Sequence, residues 1–107
     1  MYFGIQTLPN IFIDNDTKHD LLDLHFFIEG SKSWEEKVKK VKSNERKMLT
    51  IYNRNMVGEK KLYMQYKNEQ YEIFKLTKDY WSNILVKIDD VSQDNRLSLT
   101  ITPNFSL

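Results

Sequence analysis

The chain has 107 residues, with 16 Lys and Arg against 15 Asp and Glu, and a formal net charge of +1. Apolar residues make up 40% and aromatics 13%, which fits a single folded domain over residues 1–107 and excludes a disordered chain. There is no cysteine, which excludes disulfides, zinc ribbons and thiol nucleophiles.

The pattern predicts an α+β fold: an antiparallel β-meander of about five or more strands, with one or two helices packed on it. In chain order, Tyr2 to Leu8 reads as a first strand, Pro9-Asn10 as a turn, and Ile11-Phe12-Ile13 as a short strand. Asp14-Asn15-Asp16 reads as a turn or a helix cap. Residues 17–29 fit two patterns. As a helix, Leu21, Leu24 and Ile28 share a face and Gly30 ends it; as a strand, Leu22, Leu24, Phe26 and Ile28 alternate with polar neighbours. The alternation is cleaner from Leu22 onward and favours a strand at 21–29.

Residues 33–46 carry the helix signals. Ser33 with Glu36 three residues on makes a capping box, and Trp34, Val38 and Val41 form a stripe at helical spacing. The meander follows, with strands at Met48–Asn53, Lys61–Lys67, Tyr71–Leu76, Ile84–Ile88 and Leu97–Thr102. Thr77 to Trp81 is a crossover, and Pro103 is expected to end the sheet.

No motif carries a reaction. The three glycines are too far apart for a phosphate loop, and Asp14-x-Asp16 fails the calcium-loop pattern at His19 and His25. His19, Asp23 and His25 could in principle serve a metal-dependent enzyme; on a strand Asp23 and His25 share a side, but the spacing does not require His19 to reach it. The chain is therefore expected to have no catalytic residues, no metal and no cofactor.

Charge is uneven along the chain: residues 1–31 sum to −4, residues 32–78 to +7 and residues 79–107 to −2. Such asymmetry points to a polar partner. The expected function is a small non-enzymatic binding protein that contacts another protein as an adaptor or inhibitor, through Trp34, Tyr80 and Trp81. The alternative is a nucleic-acid binder using the basic helix 33–47 and the hairpin 48–67. Its cations would be Lys37, Lys39, Lys40, Lys42, Arg46, Lys47, Arg54, Lys60 and Lys61, with tyrosines interleaved for stacking. An exposed edge strand such as the last one could also pair two copies into a homodimer.

No window approaches the roughly 18 apolar residues of a membrane span. Met1 to Ile5 lacks a basic segment and does not read as a signal peptide, so a cytoplasmic address is expected. The abundance of Lys, Asn, Ile and Tyr is a composition common in AT-rich genomes, phage and other mobile elements included.

Overall fold

Every regular element of the computed structural model, which describes residues 8–30 and 34–106, is a strand. The strands are β1 (Asn10–Asn15), β2 (Leu21–Ile28), β3 (Glu35–Val41), β4 (Arg46–Thr50), β5 (Lys60–Tyr66), β6 (Glu69–Leu76), β7 (Asn83–Val91) and β8 (Leu97–Phe105). They form two four-stranded sheets, in the orders β4-β1-β7-β8 and β3-β2-β5-β6. The expected α+β class is therefore overturned, because no helix occurs among the described residues. The expected strand at Tyr2 to Leu8 and the Ser33 cap lie largely outside those residues.

The expected helix at 33–46 is instead β3, a turn and the start of β4. Its helical spacing has a local cause. Pairing between β2 and β3 passes over Asp23 and Lys39, and Asp23 has a φ of +58°. That left-handed residue shifts the phase of the pleat. On both strands, buried residues then fall three apart: Leu21 and Leu24 on β2, Val38 and Val41 on β3. A kinked strand pair thus mimics the period of a helix. Residues 21–28 are a strand, as the alternation from Leu22 favours.

The expected meander also divides. β5–β6 and β7–β8 are hairpins, but they belong to different sheets, and β4 lies at the far edge from β8. The crossover at 77–82 carries the chain from one sheet to the other. Pro103 does not end β8, which continues to Phe105; an edge strand tolerates a residue without an N–H.

The two sheets enclose one apolar core. Ile11, Ile13, Ile84, Val86 and Ile88 supply it from the first sheet, and Leu24, Phe26, Ile28, Leu62 and Met64 from the second, each at most 1% exposed. β1 and β7 pair in parallel at the centre of the first sheet, while the other pairings are antiparallel. This topology sends segments 51–59 and 77–82 to one end, with Glu29, Gly30 and Trp34, the entry to β1 and the exit of β8. Segments 16–20, 42–45, 67–68 and 92–96 lie at the other.

At that second end, Asn15 is fully buried yet completely bonded. Its Nδ2 donates to the His19 carbonyl at 2.7 Å and to the Val41 carbonyl at 2.9 Å. Its Oδ1 accepts from the Thr17 N–H and hydroxyl. One carboxamide thus joins the β1–β2 connection to the end of β3.

The charge blocks of the sequence cancel in the fold. Asp14 pairs with Arg46, Asp16 with Lys87, Asp20 with Lys40, Glu72 with Lys61 and Glu69 with Arg96. The Arg46 hydrogen bonds hold the Asp14 carboxyl below its ordinary value of 3.8. The Ser43 N–H does the same for Asp20, the Lys42 N–H for Glu45 and the Ser92 hydroxyl for Asp94. A carboxyl with a lowered folded value stabilises the fold above its unfolded value and loses that contribution as pH falls through the folded one. Stability is therefore expected to drop below about pH 4, and Asp14→Asn to flatten that drop in urea titrations from pH 6 to pH 2.

Candidate functional site

Three large apolar side chains stand in solvent at the end that holds the 51–59 and 77–82 loops. Tyr52 is 61% exposed, Val57 83% and Trp81 64%. The exposure of so much apolar surface at one end costs hydration free energy with no return in folding. The loops that carry these residues are nevertheless well fastened. Met56 is buried beside Val57, and Ile51 beside Tyr52. The Ile51 N–H donates to the Pro9 carbonyl at 2.8 Å.

Asn53 is the main fastening. It is 1% exposed, and its Nδ2 donates to the Thr77 carbonyl at 2.8 Å and to the Tyr80 carbonyl at 2.9 Å. One side chain of the 51–59 loop therefore fixes both ends of the 77–80 turn. Replacing it by alanine leaves two carbonyls without that donor, a loss of about 1–3 kcal/mol. Asn53→Ala is expected to lower the melting temperature and to speed amide exchange throughout 77–82.

Tyr80 is half-buried, with its ring 4.8 Å from Phe74. Its hydroxyl donates to the Asn83 carbonyl at 3.3 Å and accepts from the Asn104 N–H at 3.1 Å. It pins the start of β7 to the end of β8. Tyr80 is thus a positioning residue, whereas Trp81, next in the chain, turns outward.

Beside Trp81 lies an open groove of about 460 Å³, lined among others by Asn10, Ser82, Asn83, Asn104 and Phe105. Among the described residues that line it, no side chain carries a formal charge. The Asn83 Oδ1 accepts from the Asn10 N–H at 3.3 Å, and the Asn10 Oδ1 from the Thr50 hydroxyl at 2.8 Å. Both oxygens are engaged in the fold, and the amide NH2 of each side chain remains a donor for a ligand. On the other side of 77–82 a second hollow is lined by Met56, Val57, Gly58, Thr77 and Lys78.

The residues expected to bind a partner separate. Trp34 is 6% exposed and donates its indole N–H to the Thr50 carbonyl at 3.0 Å, so it belongs to the core. Tyr80 supports the site and Trp81 presents it. Val57 and the three asparagines escaped the sequence reading. An apolar residue next to Gly58 in a turn-like segment was the available signal for Val57; the asparagines come together only through the pairing of β1, β7 and β8.

The expected basic set separates too. With no helix, Lys37, Lys39 and Lys40 lie on β3, Lys42 in the turn, and Arg46 and Lys47 on β4. β3 and β4 are edge strands of different sheets, joined by 42–45 along one side of the sandwich. Lys40, Arg46 and Lys47 pair with Asp20, Asp14 and Glu45. Arg54 and Lys60 belong to the opposite run of loop and strand, and Lys61 faces Glu72 at 3.5 Å. The histidines do not converge. His25 Nε2 lies 2.8 Å from Glu35 Oε2 on the outer face of the second sheet, and His19 sits at the far end of the molecule. Among the described residues no group of three or more His, Asp or Glu could hold a metal ion. Nor is any helix there long and apolar enough to cross a membrane.

No protein-family model, no curated protein and no solved structure matches this chain.

Proposed function

We propose that this is a small non-enzymatic binding protein that contacts another protein through its 51–59 and 77–82 loop end. The observation that carries the reading is the joint exposure of Tyr52, Val57 and Trp81 on loops held in place by Asn53. Rigid loops lose little conformational entropy on binding, and Trp and Tyr are the residues on which interfaces most often depend. The described loop segments of this end and the start of β5 carry Arg54, Lys60 and Lys78 against Glu29, Glu59 and Asp79. That balance favours a protein over a polyanion. The lack of cysteine accords with action in the cytoplasm.

The test is quantitative affinity purification from native extract with wild type and a Trp81→Ala/Val57→Ser double variant. One protein enriched by the wild type and lost with the variant supports the reading. Identical enrichment by both contradicts it.

A second reading, nucleic-acid binding, has one observation in its favour. His25, Phe27 and Tyr63 form an aromatic ladder on the outer face of the second sheet, with centroids 5.2 and 5.6 Å apart. Lys37 lies opposite His25, and Lys61 lies on β5 beside Tyr63. Bases could stack there while lysines meet phosphates. It predicts single-strand affinity that falls steeply between 50 and 200 mM salt and is lost on Phe27→Ala/Tyr63→Ala.

A further inference from the structure

The edges of the two sheets differ in chemistry. β3 carries Glu35, Glu36, Lys37, Lys39 and Lys40; β4 carries Arg46 and Lys47; β6 carries Glu69, Glu72 and Lys75. Charges on an edge strand discourage the addition of a further strand. β8, the fourth edge, has no charged residue from Leu97 to Phe105 and, among the described residues, pairs only with β7.

The direction of its backbone follows from the hairpin. The Ser92 N–H donates to the Arg96 carbonyl, which makes Ser92 and Arg96 a hydrogen-bonded pair. Val91 and Leu97, the next pair, are then non-hydrogen-bonded, and Leu97 turns its backbone groups away from β7. The Leu97 N–H indeed donates to the Tyr71 hydroxyl, at 2.9 Å. From Leu97 to Pro103 β8 contains no inserted residue: the extra residue between Ile88 and Asp90 is Asp89 on β7, and the one on β8, Asn104 with a φ of +54°, comes after Pro103. By alternation, Leu99 and Ile101 also direct N–H and C=O off the edge. Pro103 occupies the next such position and has no N–H to satisfy. Beyond it, β8 runs into the groove of Asn10, Asn83, Asn104 and Trp81.

We infer that this edge and groove form one site for an extended, uncharged peptide segment of the partner protein. The segment adds to the first sheet along β8, paired with the backbone of Leu99 and Ile101. Its end enters the groove, where the carboxamides bond its peptide groups and Trp81 covers an apolar or prolyl side chain. Strand addition supplies affinity through the main chain, and pockets at alternate side chains supply specificity. The absence of charge among the described residues of both edge and groove selects an uncharged segment, because a charged one would lose hydration with no counter-ion. A carbohydrate would suit the Trp81 and asparagine groove but has no use for the strand edge, which is why a peptide is favoured. This inference rests on the reading of the loop end as the contact surface.

The test starts from the purified full chain and a phage-displayed library of random dodecapeptides. Selected peptides are resynthesised, titrated calorimetrically, and mapped by amide hydrogen exchange. The inference expects uncharged sequences whose binding slows exchange at Leu99 and Ile101. It expects affinity to weaken at least about tenfold with Trp81→Ala and with Thr102→Lys. Both positions are exposed, and unchanged melting curves confirm that the variants fold. Charged winners, or no winners, overturn the inference. So does Trp81-dependent binding of a neutral oligosaccharide panel in place of peptides. Sedimentation showing a dimer with Leu99 and Ile101 already protected identifies a second copy as the occupant and overturns it as well. Protection confined to 51–59 overturns the β8 site but leaves the loop end as contact surface. Binding indifferent to Trp81→Ala removes both.

Discussion

Phe26→Ala is expected to cost about 3–5 kcal/mol, the range for deleting a fully buried aromatic ring. Phe26 is completely buried on β2, a central strand of the second sheet, with Met64 of β5 opposite it. The loss is a large share of the roughly 5–15 kcal/mol that holds a typical domain folded. A urea titration reads this as a lower midpoint at unchanged slope. The control is the next residue. Phe27 faces outward and stacks on His25 and Tyr63, and Phe27→Ala is expected to cost about 1 kcal/mol. A one-residue slip of β2 would reverse the two results, because it turns every side chain to the other face.

The second large effect belongs to a polar residue. Asn15→Leu keeps the branched outline of the side chain and removes every one of its hydrogen bonds. The Val41 and His19 carbonyls lose its donor and the Thr17 N–H loses its acceptor, all inside the fold. At about 1–3 kcal/mol for each unsatisfied group, the cost exceeds about 3 kcal/mol even with partial relaxation. Asn15→Asp separates polarity from hydrogen bonding. A carboxylate there sets an anion within 3 Å of two carbonyl oxygens, and burial raises its pKa. Its stability is expected to be poor at neutral pH and to recover as pH falls and the acid protonates, opposite in sign to the acid loss at Asp14. A flat pH response would show that Asn15 lies in water.

These residues also show how far a sequence can be read. Leu97-Ser98-Leu99-Thr100-Ile101-Thr102 alternates without a break, and β8 is where the alternation puts it. The same holds for Leu62-Tyr63-Met64-Gln65-Tyr66 on β5. The pattern failed at Asp23 and Lys39, where a single left-handed residue changed the phase of two strands together. Residues at spacings of three and four and a capping pair then both spoke for a helix. Tertiary pairing outweighed those local preferences. Which strands share a sheet was not legible, because alternation reports a face and says nothing of a neighbour. The charge blocks misled for the same reason: Asp14 and Arg46 are far apart in the chain and adjacent in the sheet.

The binding end was legible only in part. Trp81 stood out by type, within the crossover expected at Thr77 to Trp81. Trp34 had the same standing by type, yet it is core, since its indole N–H finds a carbonyl on β4. Residue type alone does not separate an anchor from a plug. The groove needed three strand ends to meet, which no linear spacing encodes.

The most direct measurement places a photo-reactive phenylalanine analogue at position 57, at position 81 or at position 94. The first two lie on the proposed contact end, and the third lies in the 92–96 turn at the opposite end. After illumination in the native cell, adducts are identified by mass spectrometry. One protein captured from positions 57 and 81, and not from 94, is the predicted result. Capture from 94 alone, or equal capture from all three, would contradict the claim that this protein meets its partner through Tyr52, Val57 and Trp81.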